Sequence, residues 1–231
     1  MSKKKTSFDF NQFLKKLQTD KASDKRKVNE RKKRKYFLIV CEGEKTEPNY
    51  FKAFQKLLPK NLLKTIEIKG VGANTKSVVA EAIRLRTQRQ LQITLPNYDE
   101  VWAVFDRDSF PAKNVNEAIR FAQKNNVNVA FSNEAFELWY LLHFIYFDTG
   151  VNRKDYILKL EEQIKLYEEG FKYEKNDANM YRLVEQFGNQ KRAIKWAEKL
   201  EKLHVHKTPT NAKPSTSVYK LVKKLNDYIT K

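Results

Sequence analysis

The sequence predicts an α/β protein with a parallel sheet covered by helices, a helical C-terminal part and a basic N-terminal segment. Apolar runs without polar alternation predict strands buried on both faces, and helical periodicity fills the stretches between them. Residues 1–35 hold fourteen Lys and Arg against four Asp and Glu. We therefore expect a basic segment at 1–35, an α/β core at 36–150 and a helical region at 151–231 that packs on the core.

Four runs predict the strands, at residues 36–41, 65–68, 100–105 and 127–131. Helices are expected between them, with Thr46 as a cap of the first and residues 75–91 as the second. Asn114 and Glu117 have the spacing of a capping box for the third. Residues 134–144 predict a strongly apolar helix. The alternation favours right-handed crossovers that cover both faces of the sheet.

From residue 152 onward the sequence shows only helical periodicity, in segments that begin near Asp155, Asp177 and Asn189. A final helix is expected from Ser215, which follows Pro214 and suits an N-cap. No internal repeat or heptad array accompanies these segments. The C-terminal part is therefore expected to be entirely helical.

Composition and charge restrict the class of protein. The chain has 231 residues and a net charge of +18. Its single cysteine excludes a disulfide framework within the chain and a Cys-rich zinc module. Without an apolar run of about 20 residues, a signal peptide or a Walker loop, we expect a cytoplasmic protein that binds no membrane and is no ATPase. Nucleic acid is the commonest partner for such charge, although a solvated tail that aids solubility remains an alternative.

Acidic residues follow two of the predicted strands in this otherwise basic chain. Glu42 and Glu44 come after the first strand, and Asp106 and Asp108 come after the third. In doubly wound sheets, ligands bind beyond the carboxyl ends of strands. Carboxylates that face a polyanion need a divalent cation between them, and Mg²⁺ prefers oxygen ligands. The alternative is that these residues only form turns and cap helices.

Four blocks of the sequence resemble the RloB-like family, whose members are related to the Toprim domains of topoisomerases, primases and overcoming-lysogenization-defect nucleases. They are residues 37–51 (FLIVCEGEKTEPNYF), 104–108 (VFDRD), 132–144 (SNEAFELWYLLHF) and 213–218 (KPSTSV). The resemblance covers residues 37 to about 225. One departure is Glu134, where the family pattern has proline, and this residue adds a further carboxylate.

The resemblance implies a Toprim-like sheet with Mg²⁺- or Mn²⁺-dependent phosphodiester chemistry. By the family pattern, Glu42 is a metal ligand or general acid/base, and Asp106 and Asp108 are the metal pair. RloB-like genes resemble accessory genes of restriction-modification loci, which implies a role in defence against foreign nucleic acid. Other proteins of the same defence system are then further expected partners.

The residues themselves suggest roles that agree with this chemistry. Glu42 or Glu44 is placed to move protons, and Lys45 either contacts a phosphate at a helix start or is a solvated loop lysine. Glu137 either completes the metal shell or forms a buried ion pair. His143, among apolar neighbours, is expected in the core.

A nucleic-acid surface is predicted around the carboxyl end of the sheet. Its basic members are Lys45, Lys191, Arg192, Lys195 and Lys213. Ser215 and Thr216 are either a helix cap alone or a cap that also binds a backbone phosphate. Arg107 alternates with the two aspartates, so it points either into packing or towards a phosphate.

Three functions remain open at this level. The first is a metal-dependent nuclease that cleaves DNA or RNA, in anti-phage defence. The second is a non-catalytic nucleic-acid-binding adaptor, and the third is a nucleotidyl or phosphoryl transferase at the same metal site. The intact set of Glu42, Asp106 and Asp108 favours an enzyme, and the sequence leaves the oligomeric state open.

Overall fold

Strands and helices alternate through the first half of the chain. The computed structural model describes residues 35–58, 66–70, 75–108, 110–175 and 177–228, so the predicted basic segment lies outside these residues except for Lys35. The strands are β1 (Phe37–Cys41), β2 (Ile66–Gly70), β3 (Glu100–Asp106), β4 (Asn128–Asn133) and β5 (Ser215–Thr216). The helices are α1 (Thr46–Gln55), α2 (Thr75–Gln90), α3 (Ala112–Lys124), α4 (Glu137–Leu141), α5 (Arg153–Ile164), α6 (Met180–Gln186), α7 (Gln190–Leu203) and α8 (Val218–Asn226). None of these helices is long and apolar enough to cross a membrane.

The five strands form one sheet in the order β2-β1-β3-β4-β5. The first four are parallel, which confirms the predicted α/β class with a mostly parallel sheet. β5 pairs antiparallel with β4, with Thr216 opposite Ser132 and Ser215 opposite Asn133. The expectation of helices alone after residue 152 was therefore wrong, because a two-residue strand is too short to show a period in the sequence.

Both faces of the sheet are buried, as the uniformly apolar β1 predicts. Phe37, Ile39 and Cys41 belong to a core shared with α1 and with α4 to α8. Leu38 and Val40 point to the opposite face, where they pack with α2 and α3. Successive residues of a strand face opposite sides, so each helical layer receives alternate side chains of β1. Arg34–Lys231 forms one compact unit, within which the C-terminal helices share the core of the first face.

Several predicted helix starts are wrong in detail. α3 begins at Ala112 after Pro111, so Asn114 lies inside the first turn. α1 begins at Thr46 itself, whose hydroxyl donates to the carbonyl of Lys175 instead of capping the helix. α4 has only five residues, because the chain at Ala135 and Phe136 turns with shorter i to i+3 hydrogen bonds.

The predicted cap at Ser215 is also wrong. Ser215 belongs to β5, its hydroxyl donates to the carbonyl of Ala212, and α8 begins only at Val218. Thr216 is 1% exposed, and its hydroxyl hydrogen-bonds with that of Ser132. The phosphate contact expected at a helix start here therefore loses its structural basis.

His143 is a core residue, as expected, and is 2% exposed. Its Nδ1–H donates to the carbonyl of Trp139 over 2.8 Å, and the two rings meet edge-on. Burial lowers the pKa of His143 to about 4. The imidazole is therefore neutral in the folded protein across the physiological range.

Acidification is expected to destabilise the fold through His143 by roughly 3 kcal/mol between about pH 6.5 and pH 4. In that interval the unfolded chain protonates this imidazole and the folded chain does not, so the free energy of unfolding falls with pH. Below about pH 4 both states are protonated and this loss stops growing. Chemical denaturation of the wild type and His143→Asn, which can keep a donor but cannot titrate, measures the difference. Parallel pH profiles for the two proteins would contradict the prediction.

Candidate metal centre

The pocket that gathers the predicted catalytic and metal-binding residues lies where the strand order reverses. The chain passes from β1 to β2 on one side and then to β3 and β4 on the other, so β1 and β3 are neighbours with diverging connections. Ligands of doubly wound sheets bind at such a switch point. Glu42 follows β1, and its backbone N–H extends the pairing by donating to the carbonyl of Val104 over 2.9 Å. Asp106 is the last residue of β3, and its N–H donates to Glu42 Oε2 over 3.3 Å.

A cavity of about 570 Å³ opens at this point. Its acidic lining residues are Glu42, Glu44, Glu47, Asp106, Asp108 and Glu137. Its basic lining residues within the described part of the chain are Lys45, Arg153 and Lys175. The structure thus brings together every acidic residue predicted for the site, and acids outnumber bases around the cavity of a chain that is basic as a whole.

The loop after β3 is fixed so that its aspartates face the pocket. The N–H of Arg107 donates to the carbonyl of Ser132, and the N–H of Asp108 donates to the carbonyl of Glu134, both over 3.0 Å. Asp108 has a positive φ of 39°, a conformation that aspartate tolerates better than most residues. The Arg107 side chain turns away and donates to the carbonyl of Thr210, so packing is the alternative that the structure supports.

Arg153 lies between the carboxylates, and the sequence reasoning missed it. Its Nη2 is 2.6 Å from Asp106 Oδ2, and its Nη1 is 3.1 Å from Asp108 Oδ2. Its Nε is 3.5 Å from Glu137 Oε2. Arg153 is the first residue of α5, where a cation opposes the helix dipole. That unfavourable position, directly after the capping residue Asn152, was the signal available in the sequence.

Glu137 is almost fully buried, at 1% exposure. The hydroxyl of Tyr173, a second residue that sequence reasoning missed, donates to Glu137 Oε1 over 3.0 Å. The other oxygen, Oε2, has no hydrogen-bond partner within the described residues, and neither has Glu42 Oε1. Glu137 Oε2 has the charge of Arg153 Nε 3.5 Å away but no hydrogen bond from any residue that the structure describes. Buried polar atoms are nearly always satisfied, so these two carboxylate oxygens mark a place for a further cationic or hydrogen-donating group.

Glu47, in the first turn of α1, is a fifth buried or half-buried carboxylate that was not predicted for the site. It is 6% exposed, and its Oε2 passes Gly43 so closely that a Cβ on that glycine would lie 2.4 Å away. A side chain at position 43 would therefore have to displace the Glu47 carboxylate from its present place. Burial raises the pKa of Glu47, and the neighbouring carboxylate of Glu137 raises it further.

Burial disfavours the charged forms of Glu42 and Asp106. Burial raises the pKa of Glu42 to about 7, against the hydrogen bond from Asp106, and the charges of Glu47 and Asp108 raise it further. Burial also raises the pKa of Asp106, whereas Arg153 lowers it. The 2.6 Å contact with a guanidinium that stays charged favours the ionised form of Asp106. Burial opposes the charge of Arg153, but Asp106, Glu137 and Asp108 together raise its pKa.

Within the ranges that the structure describes, no three His, Cys, Asp or Glu side chains are arranged to ligate a single ion. The carboxylates of Asp106, Asp108 and Glu137 instead converge on the guanidinium of Arg153. The buried ion pair that the sequence left open for Glu137 is thus present. The conformation described is one in which a protein cation occupies the centre of the acidic group.

Of the five basic residues predicted to bind nucleic acid, all of which the structure describes, Lys45 alone lines the pocket. Lys45 lines the pocket, next to Glu44, and both are exposed. Lys213 forms an ion pair with Glu134 and does not line the pocket. The remaining three are exposed on α7 and are likewise absent from its lining: Lys191, Arg192 and Lys195. The expected border of the pocket by this helix is not what the structure describes.

The fold and the pocket define a doubly wound α/β protein with an acidic centre at its switch point. A family model described as RloB-like protein matches residues 37–225. The chain belongs to the RloB-like family, which confirms the resemblance of its four sequence blocks. Comparison with curated proteins and with solved structures found no match.

Proposed function

We propose that this protein is a Mg²⁺- or Mn²⁺-dependent nuclease of the Toprim type that cleaves DNA or RNA, in anti-phage defence. The observation that supports this function most directly is the acidic pocket at the switch point of a chain with a net charge of +18. Acids at the point of chemistry and bases elsewhere are what a metal-dependent enzyme needs to act on a polyanion.

The donor atoms of the pocket are of the kind that a hard divalent cation prefers, while their present arrangement converges on Arg153. The candidate ligands of the pocket are all carboxylates, and two of their buried oxygens, Glu42 Oε1 and Glu137 Oε2, lack hydrogen-bond partners within the described residues. Mg²⁺ is bound through carboxylate oxygens together with water and substrate phosphates. Asp106, Asp108 and Glu137 are the residues that would hold it, and Glu42 lies beside them at the same pocket.

Other residues of the pocket are assigned to proton transfer and to substrate binding. A bound divalent cation supplies charge neutralisation and activation of water for attack on a phosphodiester. Glu42 is the better of the two proton carriers because it is partly buried beside Asp106, whereas Glu44 is exposed, and burial raises the pKa of Glu42 to about 7 before a cation binds. Glu44 is exposed and stands at the entrance, and Lys45 is placed to contact an incoming phosphate beside the start of α1.

The adaptor alternative has an observation of its own in its favour. Arg153 already neutralises part of the charge of Asp106, Asp108 and Glu137. A stable ion-pair network of this kind suits a protein that keeps the fold for binding alone. The adaptor would bind nucleic acid through its basic surfaces and serve a neighbouring defence enzyme.

Incubation of the purified protein with labelled single-stranded DNA, double-stranded DNA and total RNA tests the nuclease proposal. Each substrate is combined with Mg²⁺, Mn²⁺ or EDTA, and the products are resolved on denaturing gels. We expect cleavage of at least one substrate with a divalent cation and none with EDTA. Binding of nucleic acid without cleavage under any of these conditions would favour the adaptor instead.

Deletion of residues 1–35 is expected to weaken nucleic-acid binding and flatten its salt dependence without unfolding the core. The basic residues of this segment release counterions from phosphates, so the slope of log K against log salt falls by about 0.7–0.9 for each phosphate that is no longer neutralised. Fluorescence anisotropy over a series of salt concentrations measures the slope, and circular dichroism checks the fold. An unchanged slope would assign the basic segment another purpose.

A further inference from the structure

The guanidinium of Arg153 presents each of its three nitrogens to a different acidic residue. Nη2 faces Asp106 at 2.6 Å, Nη1 faces Asp108 at 3.1 Å, and Nε faces Glu137 at 3.5 Å. These three acids are also the residues that would hold the divalent cation of the proposed function. One protein cation and one metal ion therefore compete for the same group of oxygens.

The competition follows from charge and geometry. Mg²⁺ binds carboxylate oxygens at about 2.0–2.1 Å and adds two positive charges among them. A guanidinium that stayed within hydrogen-bonding distance of the same oxygens would face that charge at close range in a site of low dielectric. The metal would also draw on the lone pairs of the carboxylate oxygens that accept the hydrogen bonds of Arg153. A cation bound to the oxygens that Arg153 contacts would therefore displace its guanidinium from them.

The position of Arg153 keeps the released guanidinium inside the pocket. Its backbone is fixed at the first turn of α5, where Asn152 Oδ1 accepts the N–H of Asp155, and its side chain is 21% exposed. It lines the same cavity as Lys45 and Lys175, which are both exposed. Arg153 is the most deeply placed of these three bases. Its planar fork matches two oxygens of a phosphate, which is the geometry that a lysine lacks.

We propose that Arg153 binds a phosphate of the nucleic-acid substrate after a divalent cation has displaced it from Asp106, Asp108 and Glu137. In the metal-free protein the carboxylates hold this residue, so it adds nothing to substrate binding. With the cation bound, it becomes the phosphate-binding residue at the floor of the pocket. This inference rests on the proposed function and adds to it the order in which metal and substrate gain access to the site.

Two binding measurements on Arg153→Gln, neither of which depends on turnover, test the proposal. Titration calorimetry with Mn²⁺ alone is expected to show binding about tenfold tighter or more than in the wild type, because the competing cation is gone. Fluorescence anisotropy uses a short labelled phosphorothioate oligonucleotide, which resists cleavage. The affinity of Arg153→Gln for this oligonucleotide is expected to be about ten- to hundredfold lower than that of the wild type in Mn²⁺, which is the contribution of one charge-assisted hydrogen-bonded pair. In EDTA the two proteins should bind it equally.

Two further variants separate this role from a structural one. Arg153→Lys keeps the charge and loses the fork, so its Mn²⁺ affinity should match the wild type while the metal-dependent gain in oligonucleotide binding shrinks. Arg182→Gln, which breaks an exposed ion pair with Glu168, is the matched control and should change neither measurement. Thermal unfolding of each variant shows whether it is folded.

Two results would overturn the inference. If Arg153→Gln binds Mn²⁺ no more tightly than the wild type, the guanidinium does not compete with the metal. If it weakens oligonucleotide binding equally in Mn²⁺ and EDTA, the residue does not change partners. If the wild type binds Mn²⁺ and cleaves nucleic acid but Arg153→Gln gives either of these two results, the inference about Arg153 is wrong and the proposed function is unaffected. A wild type that binds no Mn²⁺ overturns both.

Discussion

Asp106→Asn is expected to reduce metal-dependent cleavage about a thousandfold or more. Asp106 ends β3 at the switch point, is 5% exposed, and is rigidly held by the N–H of Phe136 and by Arg153. Asparagine keeps the shape and removes the negative charge, which weakens metal binding and the several kcal/mol of transition-state stabilisation that depend on it. Cleavage rates at saturating Mg²⁺, together with Mn²⁺ titrations, measure both losses.

Asp148→Asn is the control for this change, because Asp148 is exposed and does not line the pocket. It should leave cleavage and Mn²⁺ binding within the error of the wild type. Thermal unfolding should show that Asp106→Asn is still folded, since the substitution also relieves repulsion among the buried carboxylates. Cleavage that survives in folded Asp106→Asn would remove this residue from the chemistry and place the reaction in another part of the molecule.

Glu42→Gln is expected to slow cleavage by about a hundred- to ten-thousandfold, the usual worth of a general acid or base. Its effect on Mn²⁺ affinity should be much smaller than that of Asp106→Asn, because Glu42 is assigned mainly to proton transfer. Single-turnover rates at saturating metal measure the chemical step, and titration calorimetry measures the metal. A loss of activity that extra Mn²⁺ fully restores would instead make Glu42 a metal ligand alone.

Glu44→Gln provides the matched comparison on the same turn. The sequence left Glu42 and Glu44 as equal candidates for proton transfer, whereas the structure separates them by their environments. Glu42 is partly buried with a pKa raised to about 7, and Glu44 is exposed. We therefore expect Glu44→Gln to change the rate only a few-fold. The reverse ranking of the two variants would contradict this assignment of roles by burial.

The fold could be predicted largely from local sequence. An unbroken apolar run such as that of β1 requires burial on both faces, and the alternation of strands with helices then requires a parallel sheet. β5 was missed because its two residues are recognisable only by their pairing with Ser132 and Asn133, which are more than 80 residues earlier in the chain. The cap at Ser215 failed for the same reason, since its strand pairing displaces the helix start to Val218.

Only the site residues that directly follow predicted strands could be predicted from the sequence to lie close together. Glu42, Asp106 and Asp108 follow strands directly, so parallel pairing brings them together whatever the rest of the chain does. Arg153, Tyr173 and Glu47 belong to helices and to a loop, and their approach depends on how those elements pack on the sheet. No spacing in the sequence reports that packing. The basic residues of α7 were predicted to border the pocket, but they do not line it. Their charge suggested a substrate surface, and the sequence did not indicate where the helix lies.

The side-chain amide of Asn133 holds a segment of the chain that the ribosome makes later than the acidic residues of the pocket. It donates to the carbonyls of Pro209, Thr210 and Ala212, and Thr210 also accepts from Arg107, between the two aspartates. Thr210 lies 77 residues after Asn133, which at ribosomal rates is a delay of about 4–15 s. All the acids of the pocket, and Arg153 with them, are translated before the segment that anchors their loop. A nascent chain therefore carries the acidic residues and Arg153 for several seconds before the segment that anchors their loop in the folded protein has been made.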